Sequence, residues 1–306
     1  MIQRLIDIFY RHPKEHRKQI NRFGGSVSYK KMLASEKDMI LAIRTLKPIS
    51  SEPGGFPIYF LTGKKYIHQT IFCILSLSKV TKLPLNFVLV DDGSFDSELT
   101  QFVNENLPKS TIVSKSIIDA NLNRVLPKNL FPYLHHKREV YPHIKKLTDI
   151  HTISDHKHKL VLDSDMLFWS EPTAIIEWLK HPSGVLSMQD KIECYGYSKE
   201  LMSSLCGTRV PDLVNVGVIG LTSSTINWSK IEEWCKVLES KEGETYFLEQ
   251  ALTAMIIAEA KHHVLNPQDY IVLPNDELIH SGKGTLHHYV DLSKKEYFLS
   301  AWKKML

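Results

Sequence analysis

The sequence predicts an α/β fold in which a largely parallel central sheet is flanked by helices. Short apolar runs, typical of buried strands, alternate with amphipathic stretches whose apolar residues recur at helical spacing. The runs predicted as strands are 56–61, 85–90, 159–162, 184–188 and 214–221. Because sheets of this kind bind ligands at the carboxyl ends of their strands, the residues just after each strand are the first candidates for a site.

Three amphipathic segments are predicted as helices around these strands. One begins just after Lys65, and the other two cover about 223–239 and 244–261. The middle one opens on serines and a threonine at 223–225, which are favourable N-cap types. Its inward face is predicted to consist of Ile226, Ile231, Trp234 and Leu238.

Composition sets limits on the class of protein. The chain has 306 residues, 43% of them apolar and 24% charged, as in ordinary globular enzymes. A net charge of +4 is too mild to call for a nucleic-acid partner. No apolar run reaches the roughly 20 residues that span a bilayer, and no secretory signal is recognisable, so a cytoplasmic location is expected. We predict one main domain over 56–306 and a basic helical extension over 1–55.

The extension carries an excess of positive charge. Its basic residues over 1–35 are Arg4, Arg11, Lys14, Arg17, Lys18, Arg22, Lys30 and Lys31. Apolar residues at helical spacing precede most of them, namely Ile2, Leu5, Ile6 and Phe9. Such a segment can make a weak contact with an anionic membrane face, which would leave the protein peripheral to the membrane. The commoner explanation is a solvated helix packed on the main domain.

The most informative motif is a pair of aspartates at the end of the strand 159–162. Alternation in an extended chain points Asp163 and Asp165 to one side and Ser164 to the other. Two carboxylates held this close repel each other and are costly to bury without a cation. Oxygen ligands favour Mg²⁺ or Mn²⁺, and a diphosphate would fill much of the remaining coordination sphere. The alternative is a solvated strand-to-loop turn.

At this motif the chain resembles the GT-A glycosyltransferases, and the resemblance extends over roughly residues 56–298. The segment 162–168 is similar to their D-x-D strand end, where aspartates hold a divalent ion against the diphosphate of a nucleotide-sugar donor. The resemblance implies the GT-A fold, a catalytic domain over 56–306, and a UDP-sugar as donor. It also places Ser164, between the two aspartates, among the donor contacts.

Two further segments are similar to donor-binding positions of that group. Residues 87–94 resemble the second strand of the nucleotide-binding half, which implies that Asp91 and Asp92 contact the uracil or ribose. Thr62 and Tyr66 follow the first strand, where these enzymes place a polar group or a tyrosine against the base.

Within the GT-A enzymes the retaining family 8 has the most similar pattern. Its C-terminal signature is His-x-x-Gly-x-x-Lys-Pro-Trp, and His288 and Lys294 keep the spacing between its histidine and its lysine. The intervening glycine and the last two positions differ, being Asp291, Lys295 and Glu296. The resemblance implies that His288 is the third metal ligand and Lys294 a diphosphate contact. A one-residue shift to His287 stays open. An imidazole beside two carboxylates favours Mn²⁺ over Mg²⁺.

The remaining matches lie on a strand and two helices. Asn215 and Gly217 resemble an Asn-x-Gly strand beside the donor sugar and acceptor, and Glu249 and Gln250 resemble an Asp-Gln pair that approaches the transferred sugar. Lys146 lies in a Lys-Leu segment that braces the donor phosphates in these enzymes. Structural alternatives are close packing for the strand glycine and solvated helix faces for Glu249, Gln250 and Lys146.

Together these features predict a metal-dependent glycosyltransferase that moves a sugar to a hydroxyl of a glycan, lipid-linked or small-molecule acceptor. If the family-8 resemblance holds, the reaction retains the anomeric configuration and Glu249 or Gln250 supports the oxocarbenium-like centre. Otherwise Glu249 is the general base of an inverting enzyme. Two alternatives are a non-catalytic carbohydrate-binding protein on a degenerate transferase fold and a phosphatase-type hydrolase. The hydrolase motif requires threonine or valine where this chain has Leu167.

Overall fold

The computed structural model describes residues 12–306. The apolar residues of the predicted membrane contact, Ile2, Leu5, Ile6 and Phe9, lie outside this range. None of the helices within 12–306 combines the length and apolar character needed to cross a bilayer.

Helices and strands alternate along most of the described chain. The helices are α1 His12–Arg22, α2 Gly25–Ile43, α3 Ile67–Val80, α4 Ser97–Asn106, α5 Lys115–Val125, α6 Pro132–Val140, α7 Lys145–His151, α8 Thr173–Lys180, α9 Lys199–Cys206, α10 Trp228–Glu242, α11 Leu248–Ala258, α12 Asp276–Ser281 and α13 Lys294–Leu299. The strands are β1 Phe56–Thr62, β2 Leu85–Asp91, β3 Thr111–Val113, β4 His158–Leu162, β5 Met166–Phe168, β6 Val185–Gln189, β7 Val214–Thr222, β8 His262–Val264, β9 Tyr270–Val272 and β10 Leu286–His288. Short 3₁₀ turns occupy Pro142–Ile144, Ser223–Thr225, Asp291–Ser293 and Ala301–Met305.

The central sheet has seven strands in the order β3-β2-β1-β4-β7-β6-β8. Strands β3, β2, β1 and β4 run parallel to one another. Strand β7 runs antiparallel to both β4 and β6, and β8 is parallel to β6. The predicted largely parallel sheet flanked by helices is confirmed, and each of the five predicted strands is present. The carboxyl ends of β1, β2 and β4 therefore share one edge of the sheet.

A second, three-stranded sheet in the order β5-β10-β9 was not predicted. Strand β10 pairs antiparallel with β5 and parallel with β9. Each of these strands has only three residues, too few for a period-two pattern to be recognised in the sequence. The small sheet matters because β5 follows the paired aspartates and β10 carries the two adjacent histidines.

Two predicted helices are shorter than the sequence indicated. The segment predicted to start at 223 opens with a 3₁₀ turn, and α10 begins at Trp228 instead. Its N-cap is Asn227, whose side-chain oxygen accepts from the Lys230 N–H at 3.2 Å. An asparagine cap is as favourable as the serines chosen from sequence, and it lies directly before the helix. Helix α11 covers 248–258 rather than 244–261. The four residues predicted to face inward along 226–238 are buried.

Apolar side chains cover both faces of the central sheet. Along β1, Ile58 and Phe60 belong to one core cluster and Tyr59 to the other, as strand alternation requires. The N-terminal helix α2 contributes to the first cluster through Met39, and the Ser35 hydroxyl donates to the Phe298 carbonyl at 2.5 Å. Helix α2 therefore packs on the C-terminal part of the chain. The predicted domain boundary between residues 55 and 56 stays a prediction.

A β-bulge interrupts β7 near the middle of the sheet. Ser187 of β6 lies opposite Ile219, but the next residue, Met188, lies opposite Asn215. The intervening residues 216–218 therefore leave the ladder with β6. Bulges re-aim side chains and are common next to active sites. Here the Gly217 carbonyl accepts from the Asp163 N–H at 2.8 Å, so the bulge lies directly beside the paired aspartates.

Candidate functional site

Three side chains converge where β4 and β10 end. One ligand atom from each of Asp163, Asp165 and His288 lies within 4.8 Å of the other two. The His288 Nε2 is 3.6 Å from the Asp163 Oδ2 and 3.3 Å from the Asp165 Oδ1. The three residues predicted as metal ligands therefore lie together in the structure, and their binding of a metal stays a prediction. Two carboxylate oxygens and one imidazole nitrogen form a donor set suited to a divalent cation.

The two adjacent histidines of β10 point in opposite directions. The His287 Nε2 lies 2.8 Å from the Lys283 carbonyl and its Nδ1 lies 3.2 Å from the Tyr289 hydroxyl. Burial lowers the pKa of His287 to about 4, so this ring is neutral near pH 7. His288, and not His287, is therefore the candidate ligand.

The Nε2 atom of His288 provides a test of whether the residues fit a metal. This nitrogen is buried, faces the two carboxylates, and makes no aligned hydrogen bond. Buried polar atoms almost always have a partner, so a buried nitrogen that has no hydrogen bond and faces two carboxylates fits the role of a cation ligand. A divalent cation would satisfy the nitrogen and relieve the repulsion between the carboxylates.

Gly217 lies against His288. A Cβ atom at this position would be 2.4 Å from the His288 Cε1 and 2.4 Å from the Met166 Cε. No side chain fits without moving the imidazole or the methionine. The glycine of the Asn-x-Gly segment is therefore required so that the bulge of β7 can approach the candidate ligand closely.

Two lysines compensate the charge of the aspartates. The Lys146 Nζ lies 2.8 Å from the Asp163 Oδ1, and the Lys294 Nζ lies 3.1 Å from the Asp165 Oδ2. Burial opposes the charge on Lys146, but attraction to Asp163 and Glu249 outweighs it and raises the pKa of the ammonium. Burial likewise opposes the charge on Asp165, but the ammonium of Lys294 and the contact with His288 hold the pKa of this carboxyl well below its usual range.

Lys146 makes two contacts that the sequence did not predict. Its Nζ also donates to the Val216 carbonyl at 2.8 Å and lies 3.9 Å from the Glu249 Oε2. It therefore connects Asp163 with helix α11 across the bulge. Its predicted contact with donor phosphates stays a prediction.

Glu249 and Gln250 lie at the start of α11. Burial raises the pKa of Glu249 to about 7, although the Lys146 ammonium counteracts part of this rise. A carboxyl with a pKa near 7 is suited to exchange protons at neutral pH. The Gln250 side-chain amide donates to the Val214 carbonyl at 2.8 Å. Gln250 thus contacts β7 directly, whereas Glu249 is linked to β7 through the ammonium of Lys146.

Hydroxyl groups connect the end of β1 with the aspartate pair. The Thr62 and Thr70 hydroxyl oxygens are 2.7 Å apart, and the Thr70 and Ser164 hydroxyl oxygens are 2.8 Å apart. Thr62 is fully buried, while Ser164 is partly exposed. Tyr66 is the N-cap of α3, and the Lys65 ammonium lies 5.1 Å from the centre of its ring. Their contacts with the donor stay predictions.

The two acidic residues after β2 organise the loop that follows. The Asp91 Oδ1 accepts from the backbone N–H groups of Gly93 and Phe95, at 2.7 and 3.1 Å. The Asp92 Oδ1 accepts from the Ser94 N–H at 2.9 Å. Asp91 is buried, whereas Asp92 is partly exposed. Their predicted contact with the uracil or ribose stays a prediction.

An aromatic group near the aspartates was missed from the sequence. The Tyr246 ring is 67% exposed, and its centre lies 4.9 Å from that of His143. Desolvation raises the pKa of the phenol, while the ammonium of Lys294 acts to lower it and the carboxylate of Asp163 to raise it. No sequence signal marks this residue, because exposed tyrosines are common and its neighbours are distant along the chain.

Comparison with known proteins places the fold. No protein-family model matches the chain, and none of the curated proteins matches its sequence. The apo form of mouse xyloside xylosyltransferase 1 has a TM-score of 0.50 at 12% identity, over 78% of this chain and 97% of that one. The galactosyltransferase LgtC, solved with donor and acceptor sugar analogues, has a TM-score of 0.52 at 14% identity, over 81% and 95%. The predicted GT-A fold is thereby confirmed.

Proposed function

We propose that this protein is a metal-dependent glycosyltransferase that moves a sugar from a UDP-sugar to an acceptor hydroxyl in glycan or polysaccharide synthesis. The observation that carries the proposal is the convergence of Asp163, Asp165 and His288 at the carboxyl end of a central strand. In an open α/β sheet this edge is the general position for ligand binding. The GT-A fold supports the same conclusion.

We propose Mn²⁺, or alternatively Mg²⁺, as the cofactor held by these three residues. The imidazole nitrogen favours Mn²⁺, because Mg²⁺ prefers a complete set of oxygen ligands. A bound cation would act as a Lewis acid on the leaving diphosphate. Lys294, whose side chain is 37% exposed, would then exchange part of its contact with Asp165 for the diphosphate oxygens.

The transfer step is assigned to side chains of β7 and α11. We propose that Glu249 and Gln250 face the anomeric carbon and support its positive charge while the acceptor oxygen replaces the diphosphate. Support comes from the hydrogen bond of Gln250 to Val214, the neighbour of Asn215, and from the family-8 pattern, which implies retention of configuration. An inverted product would instead assign Glu249 as the general base.

A donor-hydrolysis assay tests the activity and the metal together. A panel of nucleotide sugars is incubated with the protein, with and without EDTA and added Mn²⁺, and the nucleoside diphosphate released is measured. Turnover should be lost with EDTA, return with Mn²⁺, and be abolished in Asp163→Ala and Asp165→Ala. Unchanged Mn²⁺-dependent turnover in both variants would refute the metal site. Proton NMR of the product then gives the anomeric configuration.

The same panel separates the rival functions. Binding of a sugar without any release of nucleotide would indicate a carbohydrate-binding protein on this fold. Hydrolysis of simple phosphate monoesters would indicate a phosphatase. Either outcome would replace the transferase proposal.

We also propose a cytoplasmic location with a weak contact to anionic membranes through the basic N-terminal part. Lys30, Lys31 and Lys37 are exposed along α2, together with Val27 and Leu41, which are 67% and 56% exposed. Cationic and apolar side chains on one exposed surface suit an anionic lipid headgroup layer.

Sedimentation with vesicles tests this contact. The protein should sediment with vesicles containing anionic phosphatidylglycerol, and this fraction should fall with salt and in the double variant Lys30→Glu, Lys31→Glu. The charge-matched control is Lys82→Glu, Lys115→Glu, which changes exposed lysines elsewhere. Equal loss of sedimentation in both variants would contradict a contact specific to α2.

A further inference from the structure

A chain of hydrogen bonds lies behind the candidate ligand His288. The His288 Nδ1 is 3.0 Å from the Asn215 Oδ1, on the opposite side of the ring from the two metal-facing carboxylates. The Asn215 Nδ2 in turn donates to the Asp190 Oδ2 at 3.0 Å. Asp190 follows β6 and was not identified as a site residue from the sequence.

The orientation of the Asn215 amide is fixed by its partners. Its Oδ1 also accepts from the Gly217 N–H at 3.0 Å, and a backbone N–H can only donate. Its Nδ2 faces the carboxylate of Asp190, which can only accept when ionised. Turning the amide over would place donor against donor and acceptor against acceptor. The oxygen of Asn215 is therefore the atom that faces His288.

This orientation determines which nitrogen of His288 carries the proton. Because the Asn215 oxygen accepts, the His288 Nδ1 must donate, and in the neutral ring the lone pair then resides on Nε2. The Nε2 is the nitrogen that faces Asp163 and Asp165 without an aligned hydrogen bond. The ring is therefore held in the one tautomer that can bind a cation between the carboxylates.

We propose that Asp190 is a positioning residue for the metal centre, acting through Asn215 to hold His288 in its metal-binding tautomer. The inference rests on the proposed function, since it takes the three converging residues as cation ligands. Partners behind a metal-bound histidine raise the affinity of the site, and their removal costs about 10- to 100-fold in metal affinity. Asp190 also lies 3.4 Å from the Gln250 side-chain nitrogen, so the two roles must be separated.

The first test concerns the tautomer alone and needs no metal. Long-range ¹⁵N–¹H NMR of histidine-labelled protein distinguishes protonated from unprotonated ring nitrogens, and the His288 signals are assigned by their loss in His288→Gln. We expect the wild-type ring to carry a proton on Nδ1, the nitrogen that faces the Asn215 oxygen. In Asp190→Ala the ring should shift toward the other tautomer or a mixture. A wild-type ring protonated on Nε2 alone would overturn the proposal.

The second test measures the dissociation constant of Mn²⁺ from the signal of the free ion by electron paramagnetic resonance. Asp190→Ala and Asn215→Ala should each weaken Mn²⁺ binding about 10- to 100-fold. Gln250→Leu is the control, since it leaves the contact between Asp190 and Asn215 intact, and it should keep the wild-type constant. Loss in Asp190→Ala but not in Asn215→Ala would show an effect of charge alone and overturn the proposal.

The outcomes also separate this inference from the proposed function. A wild-type protein that binds no Mn²⁺, either alone or together with UDP, would refute the metal-dependent transferase, whatever the tautomer. If the wild-type protein binds Mn²⁺ and Asp190→Ala binds it equally well, only the positioning role is refuted. If Asn215→Ala fails to fold, Asp190→Ala decides through the NMR spectrum, because the tautomer is read independently of affinity.

Discussion

Replacing Gly217 with alanine tests the close packing on which the metal centre depends. The added Cβ would lie 2.4 Å from the His288 Cε1 and 2.5 Å from its Nδ1. Ordinary carbon contacts begin near 3.4 Å, so the imidazole must retreat by about 1 Å. The terminal methyl of Met166, also at 2.4 Å, can rotate away, but the buried ring is held between Asn215 and the carboxylates.

The magnitude follows from these distances. Overpacking by one methyl group costs about 1–3 kcal/mol of unfolding free energy when the neighbours are buried and fixed. A ligand displaced by about 1 Å leaves the narrow range of metal–nitrogen distances, since such distances are kept within about 0.2 Å. We therefore expect Gly217→Ala to lower both the free energy of unfolding and the affinity for Mn²⁺, the latter by at least tenfold.

The assay combines urea denaturation with a Mn²⁺ titration. Gly54→Ala is the matched control, because a Cβ at that glycine has nothing within 4 Å and its backbone is not left-handed. The control should keep the wild-type Mn²⁺ affinity. Wild-type affinity in Gly217→Ala, with no more destabilisation than in Gly54→Ala, would refute the argument from close packing.

Three further predictions follow from the charged and titrating groups. Lys294→Met removes the ammonium 3.1 Å from Asp165. Calorimetry should therefore show tighter binding of Mn²⁺ alone and weaker binding of UDP in the presence of Mn²⁺. Weaker binding in both titrations would contradict this reasoning. Burial lowers the pKa of His151 to about 3. Below about pH 6 the imidazole is therefore protonated in the unfolded chain but stays neutral in the folded protein. Because of this residue, the free energy of unfolding should fall by about 1.4 kcal/mol for each pH unit from pH 6 down to pH 4. In urea titrations, His151→Asn should remove that part of the pH dependence. An unchanged pH dependence would show that the histidine is protonated in the folded protein. Lys137→Met removes the ammonium 2.8 Å from the buried Glu239, whose carboxylate then keeps only the Tyr133 hydroxyl, and should cost about 3–5 kcal/mol by urea denaturation. A loss below about 1 kcal/mol would mean that solvent reaches the pair.

The fold and the two aspartates could be predicted because their signals are local. Apolar runs of four to eight residues mark the central strands, and alternation over the three residues from Asp163 to Asp165 is enough to put both carboxylates on one side. The choice between His287 and His288 required the structure. It depends on which face of the small sheet lies against Asp163 and Gly217, and a three-residue strand carries no pattern that reveals this.

The contacts that complete the site were beyond sequence reasoning because they join distant segments. Asn215 and His288 are 73 residues apart, and Asp190 and Asn215 are 25 apart. Lys146 was identified as a phosphate contact by resemblance, but its pairing with Asp163 depends on the bulge that moves residues 216–218 out of the ladder. A change of register between two strands leaves no local trace in either of them.

The charges around the aspartates determine how a cation and a nucleotide should bind. Without ligands, Asp163 and Asp165 are matched by Lys146 and Lys294, so the cluster is close to neutral and should attract a dication more weakly than two unpaired carboxylates would. A diphosphate changes this balance, since its oxygens compete for the partly exposed Lys294 and bring negative charge of their own. Each ligand then relieves the electrostatic cost of the other, which makes their binding mutually favourable. On the proposed function, the lysine that weakens binding of the metal alone would couple the metal to the donor, and for this reason the two titrations of Lys294→Met should change in opposite directions.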